Sequence, residues 1–150
     1  MELNSLKDTE NFSQKIAKII NYGNVIFLYG DIGSGKTTFT RYLINHLEVE
    51  NGIKKSEILS PTFNILYNYK VGKKNIYHYD LFRIKNYRDV LELGMFEIEE
   101  DIKIIEWPEL IEDKPINRID LTFKYSKLID SRKVQINGFG KWKDYKFNEI

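Results

Sequence analysis

Apolar residues recur along this chain at two spacings, and the switches between them divide it into helices and strands. Phe12, Ile16, Ile19 and Ile20 share one face of a 3.6-residue period, which predicts an amphipathic helix. Asn11 and Gln14 are spaced like a capping box at its start, Asp8 or Thr9 are alternative caps, and Gly23 is placed to end it. Val25–Tyr29 is a continuous β-branched and aromatic run of the kind found in a buried parallel strand. Phe39, Leu43 and Leu47 return to helical spacing, and the polar stretch 48–57, with Gly52, suits a surface connection.

Residues 64–70 and 75–80 are rich in Ile and Tyr and alternate in part around Val71-Gly72-Lys73-Lys74, which predicts a β-hairpin. Tyr87, Val90 and Leu91 share a helical face over residues 87–93, and Gly94 stands where a C-cap glycine would. The acidic stretch 95–101 reads as a turn or short helix. Ile102–Glu106 is the next strand, stopped by Trp107-Pro108 because proline cannot extend a ladder. Residues 117–125 and 133–137 read as two more strands, antiparallel and near an edge. No repeat, low-complexity run or linker interrupts the pattern, so residues 1–150 are expected to form a single domain.

Composition narrows the function classes. A chain of 150 residues with 42% apolar side chains can bury one core, roughly 70% of its unfolded surface. Its 23 basic and 22 acidic residues leave a formal charge of +1, without the basic excess that collects nucleic-acid phosphates, so any link to RNA is expected to be indirect. The absence of cysteine excludes disulfides, thiolate metal sites and Cys nucleophiles. The start of the chain lacks the pattern of a signal peptide, and no apolar run reaches about 18 residues, which together predict a cytoplasmic protein with no membrane partner. Near the end, Trp142-Lys143-Asp144-Tyr145-Lys146-Phe147 interleaves aromatic and basic residues. Such a segment either stacks on a partner or packs its rings on the domain with its lysines in water, and its shortness favours packing.

Candidate chemistry is concentrated in Gly30-Asp31-Ile32-Gly33-Ser34-Gly35-Lys36-Thr37, which fits G-x-x-x-x-G-K-[ST] without a mismatch. Its glycines let backbone N–H groups turn toward an anion, and the following helix adds the positive end of its dipole. Strand, loop and helix come in the order a P-loop requires. Lys36 would reach the β- and γ-phosphates, and the Thr37 hydroxyl would hold Mg²⁺. The expected nucleotide contacts are Asp31, Gly33, Ser34, Gly35, Lys36, Thr37 and Thr38, with Trp107 close enough for its indole to sense them.

Mg²⁺ needs a second anchor, and two strands end in an acid: Asp80 after Tyr77-His78-Tyr79, and Glu106 after Ile102 to Ile105. Glu106 ends the more continuous apolar run and is assigned the metal or its coordinating water; Asp80 would help hold the metal or polarise the attacking water. His78 would point to the same face as Asp80, and an isolated histidine there is more often structural. Arg83 is a candidate internal arginine finger or the partner of a nearby carboxylate. Ser60-Pro61-Thr62 is either a switch-like loop, with Thr62 offering its hydroxyl to a γ-phosphate or its metal, or a simple proline turn.

Taken together, the P-loop, Ser60-Pro61-Thr62-Phe63, His78-Tyr79-Asp80-Leu81-Phe82-Arg83, Leu93-Gly94 and Ile105-Glu106-Trp107-Pro108-Glu109 resemble the TsaE (YjeE) family of small bacterial ATPases needed to make threonylcarbamoyladenosine in tRNA. Phe82 departs from the family's usual tyrosine, and nothing after Leu110 matches a motif. The resemblance implies an α/β P-loop NTPase fold with a mainly parallel central sheet flanked by antiparallel strands and helices. It also implies binding of ATP or ADP with Mg²⁺, slow hydrolysis, and nucleotide-governed association with TsaB and TsaD. A small-molecule P-loop kinase would need an arginine-bearing lid, and here only Arg83 and Arg88 lie close together; an N-K-x-D element for guanine is missing. A nucleotide-binding interaction module without useful hydrolysis differs from a slow ATPase only in rate.

Overall fold

Alternation of apolar side chains across β2 (Val25–Tyr29) splits the core in two, because successive strand residues point to opposite faces of a sheet. Ile26 and Leu28 join a larger cluster with Phe12, Ile16, Phe39 and Leu43, whereas Val25 and Phe27 join Tyr79, Leu81, Val90 and Ile105. The computed structural model describes residues 1–20, 23–128 and 131–147. Its strands form one seven-stranded sheet in the order β1-β7-β6-β2-β5-β4-β3. They are β1 (Glu2–Leu3), β2, β3 (Leu66–Val71), β4 (Lys74–Asp80), β5 (Ile102–Glu106), β6 (Arg118–Tyr125) and β7 (Arg132–Phe139).

The four inner strands β6, β2, β5 and β4 run parallel. The antiparallel pairs β1–β7, β6–β7 and β3–β4 flank them. This is the α/β architecture expected, with one difference of position. β6 pairs antiparallel with β7 but is not near an edge, since its other side pairs in parallel with β2 over the whole of Val25–Tyr29. A parallel neighbour reached across most of the chain has no local signature, and β1 is too short to show a period at all.

Helices α1 (Leu6–Ile19) and α2 (Lys36–Glu50) cover the larger core, and α3 (Tyr87–Glu92) lies with the smaller one. The rings of Phe12, Phe39 and Phe123 pack in series, tilted to one another, with centroids 5.4 and 5.7 Å apart. Each such fully buried ring is worth about 2–3 kcal/mol of removed apolar surface. The cap of α1 lies earlier than the sequence pattern places it. Ser5 is the N-cap, its hydroxyl accepting the Asp8 N–H at 3.1 Å, and Asn11 sits inside the helix. Thr9 is buried on the inner face, so the helix gains by extending past the expected caps. It ends at Ile19 with Ile20 as C-cap rather than at Gly23, whose N–H instead donates to the Glu100 carbonyl.

The connection after α2 is the surface segment expected, exposed over residues 51–57 apart from half-buried Ile53, although it begins later because α2 runs to Glu50. Glu48 is buried and accepts from the Ser56 N–H and hydroxyl and from Asn45, clamping the loop back onto the helix. At the other end, Trp142 and Phe147 pack into the larger core with Lys143 and Lys146 exposed, so the aromatic tail packs rather than projects. No helix among the described residues is long and apolar enough to cross a membrane.

Candidate functional site

The same alternation that builds the core aims three polar side chains at the P-loop helix. On β4, Ile76 belongs to the α2-facing core, and His78 and Asp80 follow on its side at steps of two; on β5, Ile102 and Ile104 are followed by Glu106. Register aligns Asp80 with Glu106 across the parallel pair, so both carboxylates leave the sheet together at its C-terminal edge. His78, Asp80 and Glu106 are all at most 2% exposed.

Gly30, Gly33 and Gly35 of the loop all have positive φ, at 132°, 74° and 110°. At Gly30 the need for glycine is also steric: a Cβ there would lie 2.3 Å from the Phe123 carbonyl oxygen and 2.8 Å from Ser34 Oγ. Four consecutive carbonyls of the loop, from Gly30 to Gly33, each accept from a side chain. Lys36 Nζ donates to Gly30 O at 2.5 Å and Asp31 O at 2.9 Å, the Tyr125 hydroxyl donates to Ile32 O at 2.5 Å, and Arg132 donates to Gly33 O at 3.4 Å. Burial pushes the Lys36 ammonium below the usual lysine range, while Glu106 and Asp80 pull it back up. Its charge also lies 4.1 Å from the centre of the Trp107 indole.

Glu106 is held from two sides. The Thr37 hydroxyl donates to its carboxylate, 2.9 Å from Oε1 and 3.1 Å from Oε2, and His78 Nε2 lies 2.8 Å from Oε1. Asp80 is tied to the facing loop: Oδ2 accepts the Thr62 hydroxyl at 2.6 Å, Oδ1 accepts the Phe82 N–H at 2.9 Å, and its own N–H donates to Ile65 O. Ile65 and Trp107, one on each side of this arrangement, are the non-glycine residues with positive φ among those described. Such left-handed conformations cost of order 1 kcal/mol or more and persist where the surroundings impose them.

These groups border a cavity of about 270 Å³ lined by Gly33, Gly35, Lys36, Thr37, Thr38, Ser60, Thr62, Asp80, Glu106 and Trp107, with Ile32 and Phe82 at its rim. Two expected side chains lie elsewhere: Asp31 is exposed and contributes its carbonyl to the loop's own bonds, and Arg83 is exposed over the Phe63 ring. Ser34, with Gly33, Gly35 and Thr38, borders a second cavity of about 600 Å³, which Asn4, Lys7, Thr9 and Arg132 also line. Tyr125 and Arg132 escaped the sequence reading because neither belongs to a motif and both reach the loop across more than 90 positions.

Among the described residues no group of three or more His, Asp or Glu side chains gathers to hold a metal. The donors at hand, a hydroxyl and two carboxylates, are hard oxygen ligands of the kind that suit Mg²⁺ alongside phosphates and water.

The sequence model of the family described as "Threonylcarbamoyl adenosine biosynthesis protein TsaE" matches residues 3–134. Among curated relatives, the tRNA threonylcarbamoyladenosine biosynthesis protein TsaE of Rickettsia prowazekii is 39% identical over 135 residues, which cover 87% of this chain and 88% of that protein. The proteins of the same name from Aquifex aeolicus and Bacillus subtilis are 37% and 30% identical, covering 78% and 79% of this chain and 80% and 72% of theirs. The crystal structure of YdiB from Bacillus subtilis superposes with a TM-score of 0.77 at 25% identity, covering 99% of this chain and 90% of that one. Fold, motif order and relatives agree: the chain belongs to the TsaE family, whose role is in tRNA threonylcarbamoyladenosine biosynthesis.

Proposed function

We propose that the protein binds ATP or ADP with Mg²⁺, hydrolyses ATP slowly, and uses its nucleotide state to govern association with TsaB and TsaD homologues in the cytoplasm, meeting tRNA only through them. The observation that carries this reading is the convergence of Lys36, Thr37, Asp80 and Glu106 on one cavity at the sheet's C-terminal edge. Lys36 would turn from the loop carbonyls to the phosphates. Thr37 would hold the metal, with Glu106 binding it or its water and Asp80 orienting the attacking water, positioned by Thr62. The metal would neutralise charge developing on the transferred phosphoryl group. The second cavity, across Gly33 and Thr38, is open to the rest of the nucleotide.

Slow turnover is supported by the cavity lining, in which Lys36 is the only cation among the described residues and Arg83 has no place. An arginine at the transition-state charge is worth about 10³–10⁵ in rate where present. That same feature favours a second reading, a nucleotide-dependent interaction module whose hydrolysis has no use. The test combines ATP hydrolysis, with and without Mg²⁺, and capture of TsaB and TsaD homologues in the presence of ATP, ADP or no nucleotide. Mg²⁺-dependent turnover with nucleotide-dependent capture is expected. Capture indifferent to nucleotide would overturn the switch, and capture that depends on nucleotide without turnover would leave the interaction module.

A further inference from the structure

We propose that His78 is a positioning residue for Glu106, holding one carboxylate oxygen so that the other is left for the metal or its water; this rests on the Mg²⁺–nucleotide reading above. His78 is completely buried in the middle of the sheet, between Tyr67 of β3 and Ile104 of β5 in register. A strand interior of this kind ordinarily takes an apolar side chain, as at Ile76 and Ile104 on the same face. The imidazole instead directs Nε2 to Glu106 Oε1 at 2.8 Å, while Nδ1 is buried with no hydrogen-bond partner.

That contact assigns one proton. A carboxylate accepts, so Nε2 carries the hydrogen that points at Glu106. Glu106 therefore receives a directed donor on one of its two oxygens. Thr37 spans both oxygens of Glu106, but His78 engages Oε1 alone, and the geometry therefore distinguishes the two oxygens. A second donor of this kind fixes the rotation of a ligating carboxylate, which is how outer partners tune a metal site.

The test compares wild type with His78→Leu, which fills the space without a donor, and His78→Gln, whose side-chain amide can reach the position of Nε2. The readouts are the Mg²⁺ concentration giving half-maximal ATP hydrolysis, the tightening of ADP binding by Mg²⁺ followed through Trp107 fluorescence, ADP binding without metal, and the thermal midpoint. Loss of such an outer partner typically costs 10–100-fold. His78→Leu is therefore expected to need about tenfold more Mg²⁺ in both metal readouts. Its metal-free ADP affinity and thermal midpoint should be equal to or above wild type, and His78→Gln should recover most of the loss. Unchanged Mg²⁺ dependence in His78→Leu overturns the positioning role alone. So does a glutamine variant as impaired as the leucine variant while equally stable. A wild-type protein whose ADP binding and hydrolysis ignore Mg²⁺ overturns the metal reading itself.

Discussion

The P-loop is gripped from two sides, and the two sides use opposite chemistry. From β4 and β5 come carboxylates: Asp80 and Glu106 face the cavity, each fixed by a hydroxyl from the facing segment, Thr62 and Thr37. From β6 and β7 come donors: the Tyr125 hydroxyl and the Arg132 guanidinium bond the carbonyls of Ile32 and Gly33, and Arg132 lies 4.9 Å from the Tyr125 ring. One side offers oxygens to a metal; the other occupies the loop's own oxygens. Ile32 and Gly33 are exposed, so these bonds do not rescue buried carbonyls; they fix the orientation of two peptide groups in the turn. The donor side therefore prepares the loop, and the acceptor side supplies the ligands.

The sharpest way to break this division is at the group both sides share. Lys36→Ala removes the phosphate cation, and nucleotide affinity should fall by about a hundredfold, roughly 3 kcal/mol, in an ADP titration. Retained affinity would mean that phosphates do not bind at this loop. Gly30→Ala attacks the support side, since the new methyl group meets the Phe123 backbone oxygen at a φ that side chains rarely adopt. A loss of about 2–4 kcal/mol is expected in chemical denaturation, with nucleotide binding lost alongside. A variant as stable as wild type would show that the loop is not held against β6. The smallest effect isolates one capping bond. Tyr125→Phe should weaken ADP binding by about 1 kcal/mol, roughly fivefold, while leaving the Mg²⁺ concentration dependence unchanged. A shift in the metal dependence instead would show that the two sides are not separate.

The acceptor side was largely legible in the sequence and the donor side was not. G-x-x-x-x-G-K-T is contiguous, so its chemistry can be read without knowing the fold, and Asp80 and Glu106 stand out because an apolar strand ending in an acid says where the chain leaves the sheet. Tyr125 and Arg132 carry no such mark. They come from the hairpin after Leu110, which matches no motif, and they matter because β6 pairs in parallel with β2. Arg83 shows the reverse failure. It stands three residues from Asp80 in sequence, but the Leu81 N–H bonds Glu106 O, the Phe82 ring packs on Trp107 at 4.9 Å, and the guanidinium lies over Phe63 instead. Nearness along the chain does not survive a turn.

By itself the sequence determined the order of most elements, the P-loop and its two acidic strand ends, because these depend on period and spacing within a few residues. Only the tertiary structure decided that His78 reaches Glu106 rather than a ligand, that Ser5 rather than Asn11 caps the first helix, and that a tyrosine and an arginine near the end of the chain hold the loop near its beginning. Those contacts are set by strand register and by which face of the sheet is already filled. Both quantities belong to the packed molecule and to no single segment of it.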